Sequence, residues 1–202
     1  AIVVGIAAVA LGMLSKDHIM VERTYANLLL MGYYFTCVCA AGAFFLALQM
    51  VTQSAWSAGL IRIPQAMASI LPIASVILLI IVALGLTSHN LYHHWNAEGL
   101  TDPNSPHYDK LVAGKAAFLN IPFFLVRAVI FLAGWNIFRI LSRRNSLALD
   151  ETGDLSYYKK NFKLAATYLV FFIVTESIAS WDWIMSIDAH WYSTLFGWYV
   201  FA

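Results

Sequence analysis

The chain has 202 residues, of which 61% are hydrophobic and 11% charged, and its formal net charge is +1. A soluble domain carries about 25% charged residues and roughly 45–50% apolar ones, so this composition excludes an ordinary soluble globular protein. The near-zero charge also argues against a nucleic-acid partner, which would require an excess of Lys and Arg. We therefore predict an all-α integral membrane protein built as a polytopic helix bundle that contacts the lipid bilayer.

A helix needs about 20 apolar residues to cross a membrane. In chain order, complete spans are predicted at about residues 25–51, 64–86, 116–141 and 162–185. The shorter apolar stretches 1–14 and 193–202 are interpreted as partial spans of a longer subunit. Pro72 should kink the second complete span because proline lacks a backbone donor, whereas Pro122 is tolerable in the first turns of the third span.

Lys and Arg residues at the borders of the spans predict the orientation, because they accumulate on the cytoplasmic side. Seven flank one side of the four spans and four flank the other. We therefore expect the loop Arg143–Lys160 to be cytoplasmic and the loop Ser88–Lys115 to be periplasmic or extracellular.

Three charged residues fall within the predicted spans: Arg127, Glu176 and, near the end of its span, Asp182. Each costs roughly 2.5–3.5 kcal/mol at a helix centre unless it is paired or hydrated. Arg127 and Glu176 lie at depths that agree within about one helical turn, which predicts an ion pair between adjacent antiparallel helices. Three interpretations stay open: a structural ion pair, a proton-conducting carboxylate, or a ligand-binding site.

A proton route would need further polar groups between Glu176 and the surface. Ser180 lies one turn beyond Glu176, and Asp182 lies about 9 Å further out than Glu176, which predicts a polar line toward the outer face. His89 and His190 are the candidate exchange groups at that face, because histidine changes charge near neutral pH.

No resident cofactor or metal is predicted for this chain. A b-type haem between membrane helices would need histidines in mid-span, and all six histidines lie outside the span centres. His89 and His93 are four residues apart, but no third ligand completes a metal set in the sequence. We predict no catalytic residue, and proton-pathway candidates only.

Four segments of the sequence resemble one protein family. The segment SWDWIMSIDAHWYSTLFGWYVFA, from Ser180 to Ala202, is the most specific of them. The others are ALQMVTQSAWSAGLIRIPQAMA, GKAAFLNIPFFLVRAVIFLAGW and RRNSLALDETGD. They resemble the ActF-type, NrfD-like membrane subunits of bacterial alternative complex III, a quinol:electron-acceptor oxidoreductase that can reduce cytochrome c.

This resemblance implies an NrfD-like, polysulfide-reductase-like fold, with one complete four-helix bundle and partial flanking helices in this chain. It implies a multi-pass subunit of the bacterial cytoplasmic (inner) membrane that is not catalytic alone. Quinol, commonly menaquinol, would be oxidised in a sister NrfD-like subunit. Electrons would pass to iron–sulfur and c-type cytochrome subunits, which carry the Fe–S clusters and haem c. By match to the motif segments, Glu176, Asp182 and Arg127 would contribute to a proton half-channel.

Two other functions remain as alternatives. A secondary transporter would bind its ligand where helices are broken near the bilayer midplane, and Pro72 predicts one such break. A purely structural membrane anchor would use the buried ion pair only to fix helix packing.

Overall fold

A computed structural model describes residues 2–88 and 90–202, and within these residues all regular structure is helical. The α-helices are α1 (Ile2–Met13), α2 (His18–Val51), α3 (Arg62–Ser69), α4 (Leu71–Thr87), α5 (His93–Asn96), α6 (Lys110–Lys115), α7 (Ile121–Thr152), α8 (Ser156–Trp183) and α9 (Phe196–Phe201).

Four segments are long and apolar enough to cross a membrane: α2, the α3–α4 pair, α7 and α8. The predicted all-helical class, with four segments long and apolar enough to cross a membrane, is therefore confirmed. The helices exceed the predicted spans, since α2 has 34 residues and α7 has 32. At 1.5 Å per residue these helices measure about 50 Å, more than the roughly 30 Å of hydrocarbon in a bilayer.

The predicted loop Arg143–Lys160 is mostly helical, which corrects that prediction. Helix α7 continues to Thr152, α8 begins at Ser156, and only residues 153–155 connect them. Gly153 ends α7 in the left-handed conformation, with φ of 67°, which glycine adopts without a Cβ penalty. The charged residues after Leu141 end the apolar run but not the helix, because the backbone hydrogen bonds of a helix form equally well when the side chains are polar.

Proline and asparagine positions define the helix starts. Helix α3 ends at Ser69 and α4 begins at Leu71, with Pro72 in its first turn, so the predicted interruption is confirmed. Pro122 occupies the first turn of α7, also as predicted. That helix begins later than residue 116 because the Asn120 side chain accepts a hydrogen bond from the Phe123 amide and caps it.

The bundle is organised around α2, which packs against α3, α4 and α8, while α7 packs against α8 and α4. Close approach depends on small residues, as is usual between membrane helices. At Gly42 a Cβ atom would lie only 2.8 Å from the Pro64 carbonyl oxygen of α3. Aromatic contacts join α7 to α8, where the rings of Phe138 and Tyr168 stack with centroids 3.8 Å apart.

Candidate functional site

The buried charges of the bundle are concentrated where the start of α7 meets the end of α8. Arg127 Nε donates to Asp182 Oδ2 at 2.6 Å, and Arg127 Nη2 donates to Asp182 Oδ1 at 2.8 Å. Their side chains are 7% and 0% exposed. This bidentate geometry makes a strong charge-assisted pair.

The rest of the Arg127 guanidinium is also enclosed. Nη1 donates to the Phe118 carbonyl at 3.1 Å. The guanidinium carbon lies 3.9 Å from the Phe118 ring centroid and 4.3 Å from that of Phe123, which adds cation–π attraction. The backbone carbonyl of Asp182 accepts a hydrogen bond from the Ser186 hydroxyl. Arg127 therefore has partners for all its nitrogen atoms and a neutralising charge.

The predicted Arg127–Glu176 pair is wrong, because Arg127 binds Asp182 instead. Helix side chains lean toward the N-terminus of their own helix. Arg127 lies near the start of α7, so its long side chain leans toward that end of α7, beside the end of α8 where Asp182 lies. The prediction compared only the backbone depths of Arg127 and Glu176. It did not account for the Arg127 side chain, which reaches about one helical turn toward the start of α7.

Glu176 is consequently a buried carboxyl without a cation. It is 4% exposed, and its Oε1 atom is buried without a hydrogen-bond partner. It takes part in no ion pair within the described part of the chain. A buried polar atom left unpartnered is uncommon and needs an explanation beyond packing.

Glu176 lines a cavity of about 250 Å³ between α2, α7, α8 and α9. Cys37 of α2, Trp135 of α7 and Phe172 of α8 contribute to its wall. A smaller space of about 40 Å³ lies on the α9 side of the same carboxyl, beside Ser177 and Gly197. Glu176 is thus the acidic group of a largely apolar cavity large enough to admit several water molecules.

The predicted polar line from Glu176 to Asp182 is not continuous. The Ser180 hydroxyl donates to the Ser177 carbonyl at 2.8 Å. Over residues 2–88 and 90–202, no hydrogen bond joins Ser180 to either carboxylate. The nearby Thr175 hydroxyl accepts from Trp135 Nε1 at 2.9 Å, which joins α7 to α8 rather than extending the line.

The segment after α8 is held against the long loop that precedes α7. The Tyr92 hydroxyl donates to the Trp183 carbonyl at 3.0 Å, and burial raises the pKa of Tyr92 above its ordinary value, so it stays a donor. Lys115 Nζ donates to the Ala189 carbonyl at 2.6 Å. These bonds place residues 184–191 beside α5 and α6.

His190 lies in this segment and pairs with Asp109, its Nε2 atom 2.5 Å from Asp109 Oδ2. This hydrogen bond is the main cause that lowers the pKa of Asp109. The backbone amide of His190 donates to Asp188 and is the main cause that lowers the pKa of that carboxyl. The other predicted exchange residue, His89, lies outside the described residues.

His94, Asp188 and His190 each offer one ligand atom, and these atoms lie within 4.8 Å of one another. Two imidazoles and a carboxylate are a donor set suited to zinc, although all three residues are exposed. The sequence does not reveal this group, because His94 is far from Asp188 and His190 along the chain. Their contact arises from tertiary packing, which no local sequence pattern predicts.

Replacing Asp109 by asparagine is expected to loosen residues 188–191, because the charged partner of His190 is lost. Since the pKa of Asp109 is lowered in the folded protein, its contribution is present above about pH 4 and is lost as pH falls through the lowered value. Hydrogen exchange of the purified protein should show faster exchange at these amides at pH 7.

Asp102→Asn, an exposed substitution in the same loop, is the matched control and should leave that exchange unchanged. Equal protection of residues 188–191 in wild type and Asp109→Asn would contradict the assigned role of the Asp109–His190 pair.

Comparison with known proteins adds no functional assignment. No protein-family model matches the chain, and no curated protein matches it significantly. Its function must therefore be argued from the Arg127–Asp182 pair, the unpartnered Glu176 and the residues around them.

Proposed function

We propose that the chain is a membrane subunit of a respiratory quinol-oxidising complex of the alternative complex III type. In this proposal it lies in the bacterial cytoplasmic membrane and supports quinol oxidation by a sister NrfD-like subunit. Iron–sulfur and c-type cytochrome subunits receive the electrons, and this chain binds no redox cofactor. Support comes from the resemblance of four segments, led by Ser180–Ala202, and from four packed spans in the described residues.

We further propose that Glu176 carries protons, and the supporting observation is its unpartnered carboxyl in the cavity. Quinol oxidation releases protons as well as electrons, and a proton carrier must be able to gain and lose charge. A carboxylate paired with a guanidinium is stabilised in its ionised state and therefore does not readily take up a proton. Glu176 meets the requirement because it has no such partner, and hydration of the cavity would supply its proton donors and acceptors.

Asp182 and Arg127 then have a different role from the one proposed on sequence alone. Their bidentate pair joins α7 to α8 beside residues 184–191. We assign them to positioning α8, and therefore Glu176, rather than to proton transfer. His190 stays a candidate exchange group together with His89, and its imidazole is exposed beside two carboxylates.

A structural anchor is the second candidate, and the buried Arg127–Asp182 pair favours it. It does not account for a second buried carboxyl without a partner. The transporter alternative has less support. Only the α3–α4 span is interrupted among the four spans of the described chain, whereas α2, α7 and α8 are continuous.

Glu176→Gln in the purified complex tests the proposal, because glutamine retains the shape but cannot carry the proton. We expect quinol-driven proton release and turnover to fall by about 100-fold or more, the low end of what one proton-transfer group contributes. Stopped-flow quinol oxidation with a pH indicator in proteoliposomes measures both quantities.

Glu151→Gln, on the exposed end of α7, is the matched control and should retain full activity. Unchanged proton release and turnover in Glu176→Gln would refute the proton-carrying role. Failure of the tagged chain to co-purify with haem and iron–sulfur proteins would refute the complex itself.

A further inference from the structure

A second polar cluster lies at the other end of the bundle, between α3 and α7. Arg62 Nη1 and Arg143 Nη1 both donate to Gln65 Oε1, at 2.7 Å and 2.5 Å. Gln65 Nε2 donates to Ser146 Oγ at 3.1 Å. Arg62 also forms an ion pair with Asp150. Gln65 is therefore fixed between two arginines, and the only acceptor of its side chain is occupied.

Beside Gln65 lies a cavity of about 90 Å³ between α2, α3 and α7. Arg139, Arg143 and Ser142 of α7 line it together with Ser69 of α3. Two donors there have no partner: Arg139 Nε and Ser142 Oγ are both buried and make no hydrogen bond. Ser142 is only 2% exposed. Because buried polar atoms are normally paired, these two point to a missing acceptor.

The charges around this cavity are unbalanced. Three guanidinium groups, those of Arg62, Arg139 and Arg143, lie at this end of α3 and α7. The carboxylate of Asp150 pairs with Arg62. Neither Arg139 nor Arg143 has an ion pair within residues 2–88 and 90–202. Arg143 is exposed, whereas Arg139 is half-buried and its Nε is enclosed. An anion in the cavity would accept hydrogen bonds from both Ser142 and Arg139 and would neutralise part of this positive charge, which a water molecule would not do.

The depth of the cavity indicates where that anion comes from. From the cap of α7 at Asn120 to Arg139 the helix rises about 28 Å, close to the roughly 30 Å thickness of the hydrocarbon layer. Beyond Arg139 the helix carries Arg143 and Arg144. With Asn120 at the opposite boundary of the hydrocarbon layer, this rise places the cavity where lipid phosphates meet the hydrocarbon. Its volume equals about three water molecules, enough for a phosphate group but not for a whole headgroup.

We propose that this cavity binds the phosphate group of an anionic phospholipid. Arg139 and Arg143 supply charge-assisted donors, and Ser142 supplies a hydroxyl donor. Guanidinium groups match phosphate oxygens in geometry as well as charge. Basic pockets between membrane helices are a known setting for anionic headgroups. The acyl chains would lie along the lipid-facing sides of α3 and α7, where Ile63, Ile140 and Met67 are exposed.

The test uses the full-length protein in nanodiscs of phosphatidylcholine containing phosphatidylglycerol, followed by native mass spectrometry of retained lipid. Wild-type protein should retain phosphatidylglycerol in preference to phosphatidylcholine. Arg139→Gln should reduce this retention at least about tenfold, the loss of one charge-assisted hydrogen bond. Arg144→Gln removes the same charge from an exposed position of α7 and should leave the retention unchanged.

Equal effects of Arg139→Gln and Arg144→Gln would overturn the proposal, since binding would then reflect surface charge alone. A third arm titrates inorganic phosphate into the detergent-solubilised protein. Saturable phosphate binding without any lipid preference would overturn the assignment to a lipid. If Arg139→Gln does not fold, Ser142→Ala removes one donor without altering charge and should still reduce retention, and full retention in that variant would contradict the site.

Discussion

Replacing Arg127 by leucine is expected to lower the free energy of unfolding by about 3–5 kcal/mol, because it leaves the Asp182 carboxylate buried without its cation. The carboxylate side chain is fully buried and receives two bonds from Arg127. Asp182→Leu should have a loss of the same order, since Arg127 would then lie unpaired among aromatic rings. Denaturant titration of the purified protein in detergent measures these changes.

The double variant Arg127→Leu with Asp182→Leu should be much less destabilised than either single variant, because it removes both charges and their desolvation cost. Arg23→Leu, at an exposed position of α2, is the control for loss of an arginine and should change stability little. If the two single losses simply add in the double variant, the two residues do not act as a pair.

Trp183→Ala is expected to destabilise the protein by about 3–5 kcal/mol, because it opens a large cavity where α2, α7 and α8 meet. The Trp183 side chain is fully buried. Its ring lies edge-on to Tyr33 of α2, with centroids 5.8 Å apart, and to Trp135 of α7, with centroids 6.3 Å apart. One side chain of α8 thus contacts two other spans, and the same denaturant titration reports its loss.

Trp56→Ala is the matched control, since Trp56 is 66% exposed and its truncation opens no internal space. Its loss should be small by comparison. Trp183→Phe should recover part of the stability because it refills most of the volume. Similar losses for Trp183→Ala and Trp56→Ala would contradict the role of Trp183 in packing α8 against α2 and α7.

These two predictions concern the same region as Glu176, which lies less than two helical turns from Trp183 on α8. The Arg127–Asp182 pair and the Trp183 contacts hold this end of α8 in place, and Trp135 lines the Glu176 cavity. A variant that loosens α8 would therefore move Glu176 as well. Activity of Glu176 variants should accordingly be compared at matched stability.

The sequence alone determined the number of apolar segments long enough to span a membrane, the interruption before Pro72 and the place of Pro122 in the first turn of α7. Each depends on a property of one segment: its transfer free energy into lipid, or a missing backbone donor. The sequence also indicated that Arg127, Glu176 and Asp182 must be paired or hydrated. The free-energy cost of a charge in hydrocarbon can be estimated without knowing which residues surround it.

Only the tertiary structure decided which of these charges pair. The partner of Arg127 depends on the direction of its side chain and on the packing of α7 against α8, and both favour Asp182 over Glu176. The meeting of His94 with Asp188 and His190, and the unpartnered donors of Arg139 and Ser142, likewise arise between elements distant in the chain. Hydropathy can be summed over one segment of the sequence. A site requires side chains from several helices to lie within contact distance, and helix packing sets that distance.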